Sequence, residues 1–378
     1  MVIFVEPLGK PFTHLAVVKS LLFAESNKDN TDEILFISSL AYFNSIPEIF
    51  RSRLKFKEIN VSKSSIYNIF EIVFIIISAF YANWRRKNIK VYLLFSKSYS
   101  NIILKFLSFV FLSKSKRLYV LLHGELQNIT LKGTKSLWLD GFFQRFLYWI
   151  DTKFSSNLRF VVISEFVFRK LKDRLGYDPV NFVSIDLPYL YDENTGVRSE
   201  EKGTFVISTV GVNSISKKSF LLNEIANHFR DKIRRGSLKV CTSGRNDDVV
   251  FSDLIDTPNM ENVYLLSTEE YAKRIQSSNI LIFFNDDNYN LISSGSYFDC
   301  INFKKPILAM RSEQWEYNFK QFGAIGYLCD NIWEMYGYIE SSLNDNNFFS
   351  KTFNNNLNDA QAISSVVNRI HYLMDKLY

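Results

Sequence analysis

Residues 205–220 read FVISTVGVNSISKKSF. Phe205–Val210 is an apolar, β-branched run of the length of a buried strand. Gly211 follows at once, where the chain has to turn, and Lys217-Lys218 lead into a helical pattern over Ser219–Phe229. A strand, a glycine turn and a helix open a βαβ unit, which sets the class as α/β with a parallel sheet. The rhythm continues downstream. Strands are expected over Leu238–Thr242, Val263–Leu266, Ile280–Phe284 and Pro306–Met310, with helices over Thr268–Ser277 and Gly295–Asn302.

Upstream the same alternation occurs a second time. Expected strands are Val2–Glu6, Ile34–Ser38, Phe56–Ile59, Val91–Ser96, Leu118–His123, Phe160–Ser164 and Phe182–Ile185. Helical patterns lie between them at His14–Ala24, Ser65–Trp84, Tyr99–Leu112, Leu137–Phe154 and Glu165–Leu175. The stretch Tyr191–Gly203 (YDENTGVRSEEKG) is polar and without period, the character of a linker. The organisation is therefore a first Rossmann-like domain over 1–190, a linker over 191–203 and a second such domain over 204–358. Residues 359–378 form a packing helix, with Ile363, Val366, Val367, Ile370 and Met374 at three- and four-residue spacing, which can cross back to the first domain. Asn344–Asn358 is an Asn-rich patch of low complexity.

With 378 residues the chain suits two domains, and a hydrophobic fraction of 47% excludes disorder. The net charge of +6 comes from 45 basic and 39 acidic residues. Basic runs are short (Trp84-Arg85-Arg86-Lys87, Lys232-Ile233-Arg234-Arg235), so a nucleic-acid partner is not expected. Cys241, Cys300 and Cys329 lie in or beside apolar runs with no Cys-x-x-Cys pair, which fits a reduced, cytoplasmic protein. Ile66–Trp84 approaches the length of a membrane span, but Asn68 and Glu71 interrupt it, so it reads as a buried or interfacial helix. The apolar and basic segments Ile66–Lys87 and Ile102–Lys116 suit peripheral contact with a membrane face. No phosphate loop of the G-x-x-x-x-G-K-[ST] kind, no G-x-G-x-x-G, no G-x-S-x-G and no H-E-x-x-H occurs.

Gly211, with Lys217 six residues on, resembles the opening of the donor domain in GT-B glycosyltransferases, nearest to the retaining family four (glycosyl transferases group 1) of bacterial surface polysaccharide synthesis. Further pieces follow in the family's order. Val240-Cys241-Thr242-Ser243-Gly244 resembles its second strand and glycine loop. Leu265–Tyr271 and Ser277–Ile280 resemble the turn, helix and strand before the donor loop, and Tyr289–Met310 (YNLISSGSYFDCINFKKPILAM) resembles that loop, its helix and the next strand. Val212 stands where the family has Arg, and Asn290-Leu291 where it has its first Glu. The resemblance implies two Rossmann-like domains facing each other across a cleft, with a nucleotide-sugar as substrate and no metal or other cofactor.

It also implies roles for residues. Gly211, Asn213, Lys217, Ser243 and Gly244 would meet the donor, and so would the loop Ser293-Ser294-Gly295-Ser296, whose backbone N–H groups and hydroxyls suit phosphate oxygens. The same serines also suit a plain helix cap. Asp299 is the carboxylate nearest the position that holds the donor ribose. His123 and Glu125 follow a strand at its carboxyl end and are the candidates for catalysis. Gly9, Lys10 and His14, after the first strand, would face phosphate or acceptor. Asp286-Asp287 is read as a loop touching the donor sugar. The expected activity is hexosyl transfer to a glycan or lipid-linked oligosaccharide, in O-antigen or capsule synthesis, with retention ahead of inversion. A nucleotide-sugar epimerase and a non-catalytic assembly partner are the alternatives.

Overall fold

A computed structural model describes residues 1–7, 15–27, 33–59, 65–82, 86, 88–96, 101, 103–105, 108, 116–122, 126, 157–186, 189–191, 203–258, 268–288, 291–293, 295–345 and 348–377. The chain divides into two units: Met1–Leu190 with Leu291–Ser293 and Val366–Tyr378, and Tyr191–Asn290 with Ser294–Ser365.

The first unit is built on a seven-stranded sheet. Its strands are β1 (Val2–Val5), β2 (Ile34–Ser38), β3 (Lys55–Glu58), β4 (Ile89–Leu93), β5 (Lys116–Leu122), β6 (Leu158–Ile163) and β7 (Phe182–Ile185), in the order β3-β2-β1-β4-β5-β6-β7. Every pairing is parallel. β1 is buried along its whole length, as a strand covered on both faces must be, whereas the edge strand β3 exposes Lys55, Lys57 and Glu58. The register aligns Phe36, Phe4, Tyr92 and Tyr119 across four neighbouring strands. Their rings stack at 6.1, 5.0 and 5.0 Å, and each such pair adds about 0.5–1.5 kcal/mol beyond plain burial.

Helix α1 (Leu15–Ser26) lies on this unit, and its buried Glu25 accepts a 2.7 Å hydrogen bond from the Tyr92 hydroxyl. The next helices are α2 (Leu40–Ser45), α3 (Glu48–Arg51), α4 (Ser65–Ala82) and α5 (Glu165–Leu175). Among the described residues no helix is long and apolar enough to cross a membrane.

The second unit holds β8 (Phe205–Val210), β9 (Leu238–Ser243), β10 (Ile255–Asp256), β11 (Ile280–Phe283), β12 (Ile307–Met310) and β13 (Gly326–Cys329), in the order β10-β9-β8-β11-β12-β13, again all parallel. Its helices are α6 (Leu221–His228), α7 (Arg230–Arg234), α8 (Thr268–Ser277), α9 (Ser296–Asn302), α10 (Glu313–Phe322), α11 (Ile332–Asn344) and α12 (Phe348–Ser364). Tyr297, Trp315 and Phe283 form its aromatic core, with ring centroids 4.8–5.8 Å apart.

Several elements differ from the sequence expectation. The Asn-rich patch begins at the last residue of α11, Asn344, and from Phe348 to Asn358 it lies in α12. The helix read from Asp359 onward is the end of α12 followed, after a break at Ser365, by α13 (Val366–Leu377). β10, β13, α10 and α11 have no counterpart in that reading. The strand expected over Val263–Leu266, the helix over Leu137–Phe154 and most of the linker lie outside the described residues.

Candidate functional site

In the second sheet the order changes direction between β8 and β11. Connections leaving the carboxyl ends of two such strands go to opposite faces of the sheet, and a crevice opens between them. A recess lies at this point, lined by Thr209 from the end of β8, by Asn213, Lys217 and Ser219 from the loop after it, and by Phe284 and Asn285 after β11.

The loop after β8 is shaped by close backbone packing. Gly211 has φ of 77°, in the left-handed region, and a Cβ there would come within 2.6 Å of Ser296 Oγ. A Cβ on Gly244 would come within 1.8 Å of the Gly211 carbonyl oxygen. Segments after β8 and β9 and the first residue of α9 therefore meet with no room for a side chain. The loop is tied further to the one after β9. Asn213 N donates to Arg245 O at 2.7 Å, Asp247 N donates to Asn213 O at 3.0 Å, and Asn213 Nδ2 donates to Asn246 Oδ1 at 2.9 Å. Ile215 N donates to Asp248 Oδ1 at 2.8 Å.

The two lysines diverge. Lys217, half-buried at the recess, has its ammonium pushed down to about 8 by burial, with the Asp247 carboxylate acting against the shift. Lys218 turns away through a left-handed φ of 54° and pairs with Asp286 Oδ2 at 2.6 Å. Burial works against the charged form of Asp286, but Lys218 and the Asn288 N–H outweigh it and hold the carboxyl below its ordinary range. Asp287 Oδ1 accepts from Glu313 N at 2.8 Å, at the start of α10. The acidic pair thus serves a lysine and a helix end. Among the described residues no group of three or more His, Cys, Asp or Glu side chains is placed to hold a metal ion.

Of the expected site residues, Asn213 and Lys217 line the recess, and Gly211, Gly244 and Ser296 meet one another around the start of the same loop. Gly295 is the residue before α9. The Ser243 hydroxyl shares a 2.7 Å hydrogen bond with Ser208 inside the sheet, so it is engaged away from the loop. Asp299, in α9, accepts at 2.7 Å from the hydroxyl of Tyr271 in α8. Ser293 groups with the first unit. His123, Glu125, Ser294, Gly9, Lys10 and His14 lie outside the described residues. Thr209, Asn285 and Tyr271 were not singled out by the sequence. Sequence pattern does not mark the first two: Thr209 follows Ser208 inside β8, and Asn285 lies two residues beyond the end of β11.

No family model matches the sequence, and no curated protein matches it. Solved structures do. Anabaena Alr3699/HepE in complex with UDP and glucose is 11% identical, with a TM-score of 0.60 and coverage of 100% of this chain and 98% of its own. A glycosyltransferase from Rickettsia africae ESF-5 is 10% identical, with a TM-score of 0.53 and coverage of 99% and 96%. A candidate UDP-N-acetylglucosamine 2-epimerase from Listeria monocytogenes is 11% identical, with a TM-score of 0.53 and coverage of 99% and 95%. Likeness at this identity speaks for the fold. The chain has the GT-B fold, an α/β architecture of two Rossmann-like units, each built on one parallel sheet.

Proposed function

We propose that the protein is a glycosyltransferase that moves a sugar from a nucleotide-sugar donor to a hydroxyl of a glycan acceptor. The observation that carries this reading is the loop after β8, where Gly211 packs against Gly244 and Ser296 and from which Lys217 reaches the recess at the switch point of the second sheet. A nucleoside diphosphate leaving group needs close backbone approach and a nearby cation, and this junction offers both. Helix α9 has only 7 residues, so its dipole adds less than a long helix would, and Lys217 carries more of the electrostatic work. The likeness to the Anabaena protein, which holds UDP and UDP-glucose, supports a nucleotide-sugar as the donor.

In this reading Asp299 holds the donor ribose, and His123 or Glu125 acts on the acceptor or the donor sugar. Gly9, Lys10 and His14 serve the acceptor or phosphate side, and no metal takes part. The acceptor is a lipid-linked oligosaccharide of O-antigen or capsule synthesis, met at the inner face of the cytoplasmic membrane. Helix α4 supports a surface role there, since Phe74 and Tyr81 are 70% and 81% exposed two turns apart. Transfer with retention is the working mechanism, and the anomeric configuration of the product by NMR checks it.

A thermal-shift screen of UDP-, GDP-, CMP- and dTDP-sugars tests the reading. At least one is expected to raise the melting temperature by mass action, and a flat response to all four would sink it. The shared fold of the candidate Listeria epimerase makes one control necessary. A nucleotide sugar isomerised in the absence of any acceptor would decide for epimerisation.

A further inference from the structure

The recess between β8 and β11 contains two polar groups that the fold itself does not use. Thr209 and Asn285 are 4% and 5% exposed. Thr209 Oγ1 and Asn285 Nδ2 have no hydrogen-bond partner among the described residues, and both residues line the recess together with Lys217. A buried amide or hydroxyl left without a partner costs about 1–3 kcal/mol, and two of them lining one recess at a switch point call for a ligand group. The chemistry of that group follows from the atoms. An amide N–H₂ and an ammonium only donate, a hydroxyl can donate, and among the described residues lining the recess there is no carboxylate. Val212 and Phe283 supply apolar wall, which strengthens any charge-assisted bond formed inside.

We propose that Thr209, Asn285 and Lys217 form an oxyanion seat that takes a phosphate oxygen of the nucleoside diphosphate, and that Asn285 and Thr209 make the site select diphosphates over uncharged nucleosides. This rests on the donor site proposed above and adds two donors to it. On transfer the bond between the sugar's anomeric carbon and the distal phosphate oxygen breaks, with its electron pair staying on that oxygen. The acceptor's hydroxyl oxygen bonds to the anomeric carbon in its place, and the hydroxyl proton passes to the released diphosphate or to water. The seat meets the added charge with three hydrogen-bond donors already in place, so little reorganisation is required.

The test uses the full chain. Wild type is first titrated with UDP, GDP, CDP and dTDP, and the tightest of these is then compared with its own nucleoside by ligand-observed NMR. The same pair is measured on Asn285→Leu, Asn285→Asp and Thr209→Val. Asn285→Leu and Thr209→Val are expected to weaken the diphosphate about fivefold or more each, and Asn285→Asp about tenfold more than Asn285→Leu, because its carboxylate repels phosphate. The nucleoside should bind all four proteins alike. The ratio of the two affinities is read within each protein, so a partly unfolded variant lowers both and leaves the ratio intact. Ratios within twofold of wild type in all three variants overturn the seat and leave the donor reading standing, the two groups then holding only ordered water. A wild type that binds none of the four diphosphates overturns the donor reading and the seat with it.

Discussion

Gly244 and Lys217 show how single positions tune this site. Gly244→Ala places a methyl group 1.8 Å from the Gly211 carbonyl oxygen, so the loop after β8 must move. Strain of about 1–3 kcal/mol and at least a tenfold loss of nucleotide affinity are expected, read by melting temperature and calorimetric titration. Lys217 sets stability against function. Its folded-state ammonium sits at about 8, below the usual value near 10.4. Between those values the unfolded chain binds more protons than the folded one, so stability rises with pH across that window. Below pH 8 both states are protonated and the burial cost is constant. Lys217→Met should therefore melt higher than wild type at pH 7, with the difference shrinking towards pH 10, while its affinity for a nucleoside diphosphate falls. Equal melting temperatures at pH 7 would contradict the burial argument. The spacing of Gly211 and Lys217 made this corner legible in sequence, because a tight turn and a cation leave residue types that can be read. Asn285 and Thr209 were not legible, since their importance lies in lacking partners, which only packing reveals.

Helix α12 illustrates what was hidden at the level of the element. Its Asn residues have poor helix propensity and suggest a loop. Yet Phe349, Phe353, Leu357 and Ala360 recur at four- and three-residue spacing and are buried, while Asn354, Asn355 and Asn358 face solvent. Tertiary burial overrides propensity here. Phe353 meets the ring of Tyr327 in β13 edge-on at 4.9 Å. Phe353→Ala should cost about 3–5 kcal/mol, measured by denaturant unfolding, whereas Asn355→Ala should be neutral or slightly stabilising. Comparable losses at both positions would mean that α12 is not held by this face. β13 escaped notice for a different reason. Its four residues begin with a glycine and are half-buried at Tyr327 and Leu328, so they carry too little pattern to separate a strand from a turn. The apolar strands β1, β2, β5 and β8, by contrast, lie where the alternation put them to within a residue or two, even β1 with its four residues, because burial on both faces admits few other residue types.

At the scale of the whole molecule the chain leaves the first unit near Leu190 and, apart from Leu291–Ser293, returns to it only after Ser365, so α12 belongs to the second unit and α13 to the first. Helix α13 packs on α1 and β7, burying Val366, Leu373 and Leu377. Its ties to the first unit are polar as well. Val366 N donates to Tyr189 O at 2.9 Å, Asp186 N donates to the Tyr372 hydroxyl at 3.3 Å, and the Tyr119 hydroxyl donates to Leu377 O. A chain ending at Ser365 loses all of these. The three apolar side chains alone are worth about 1.5–3 kcal/mol each, which is a large share of the stability of one domain. The recess residues Thr209, Lys217 and Asn285 all lie in the second unit, whose sheet is complete without α13. Scanning calorimetry of the shortened chain should therefore show a first transition moved to lower temperature and a second near the wild-type position. Nucleoside diphosphate should still raise that second transition, since its seat is intact. One unshifted transition would mean that α13 contributes nothing to the first unit, and loss of the nucleotide response would mean that the seat depends on that unit.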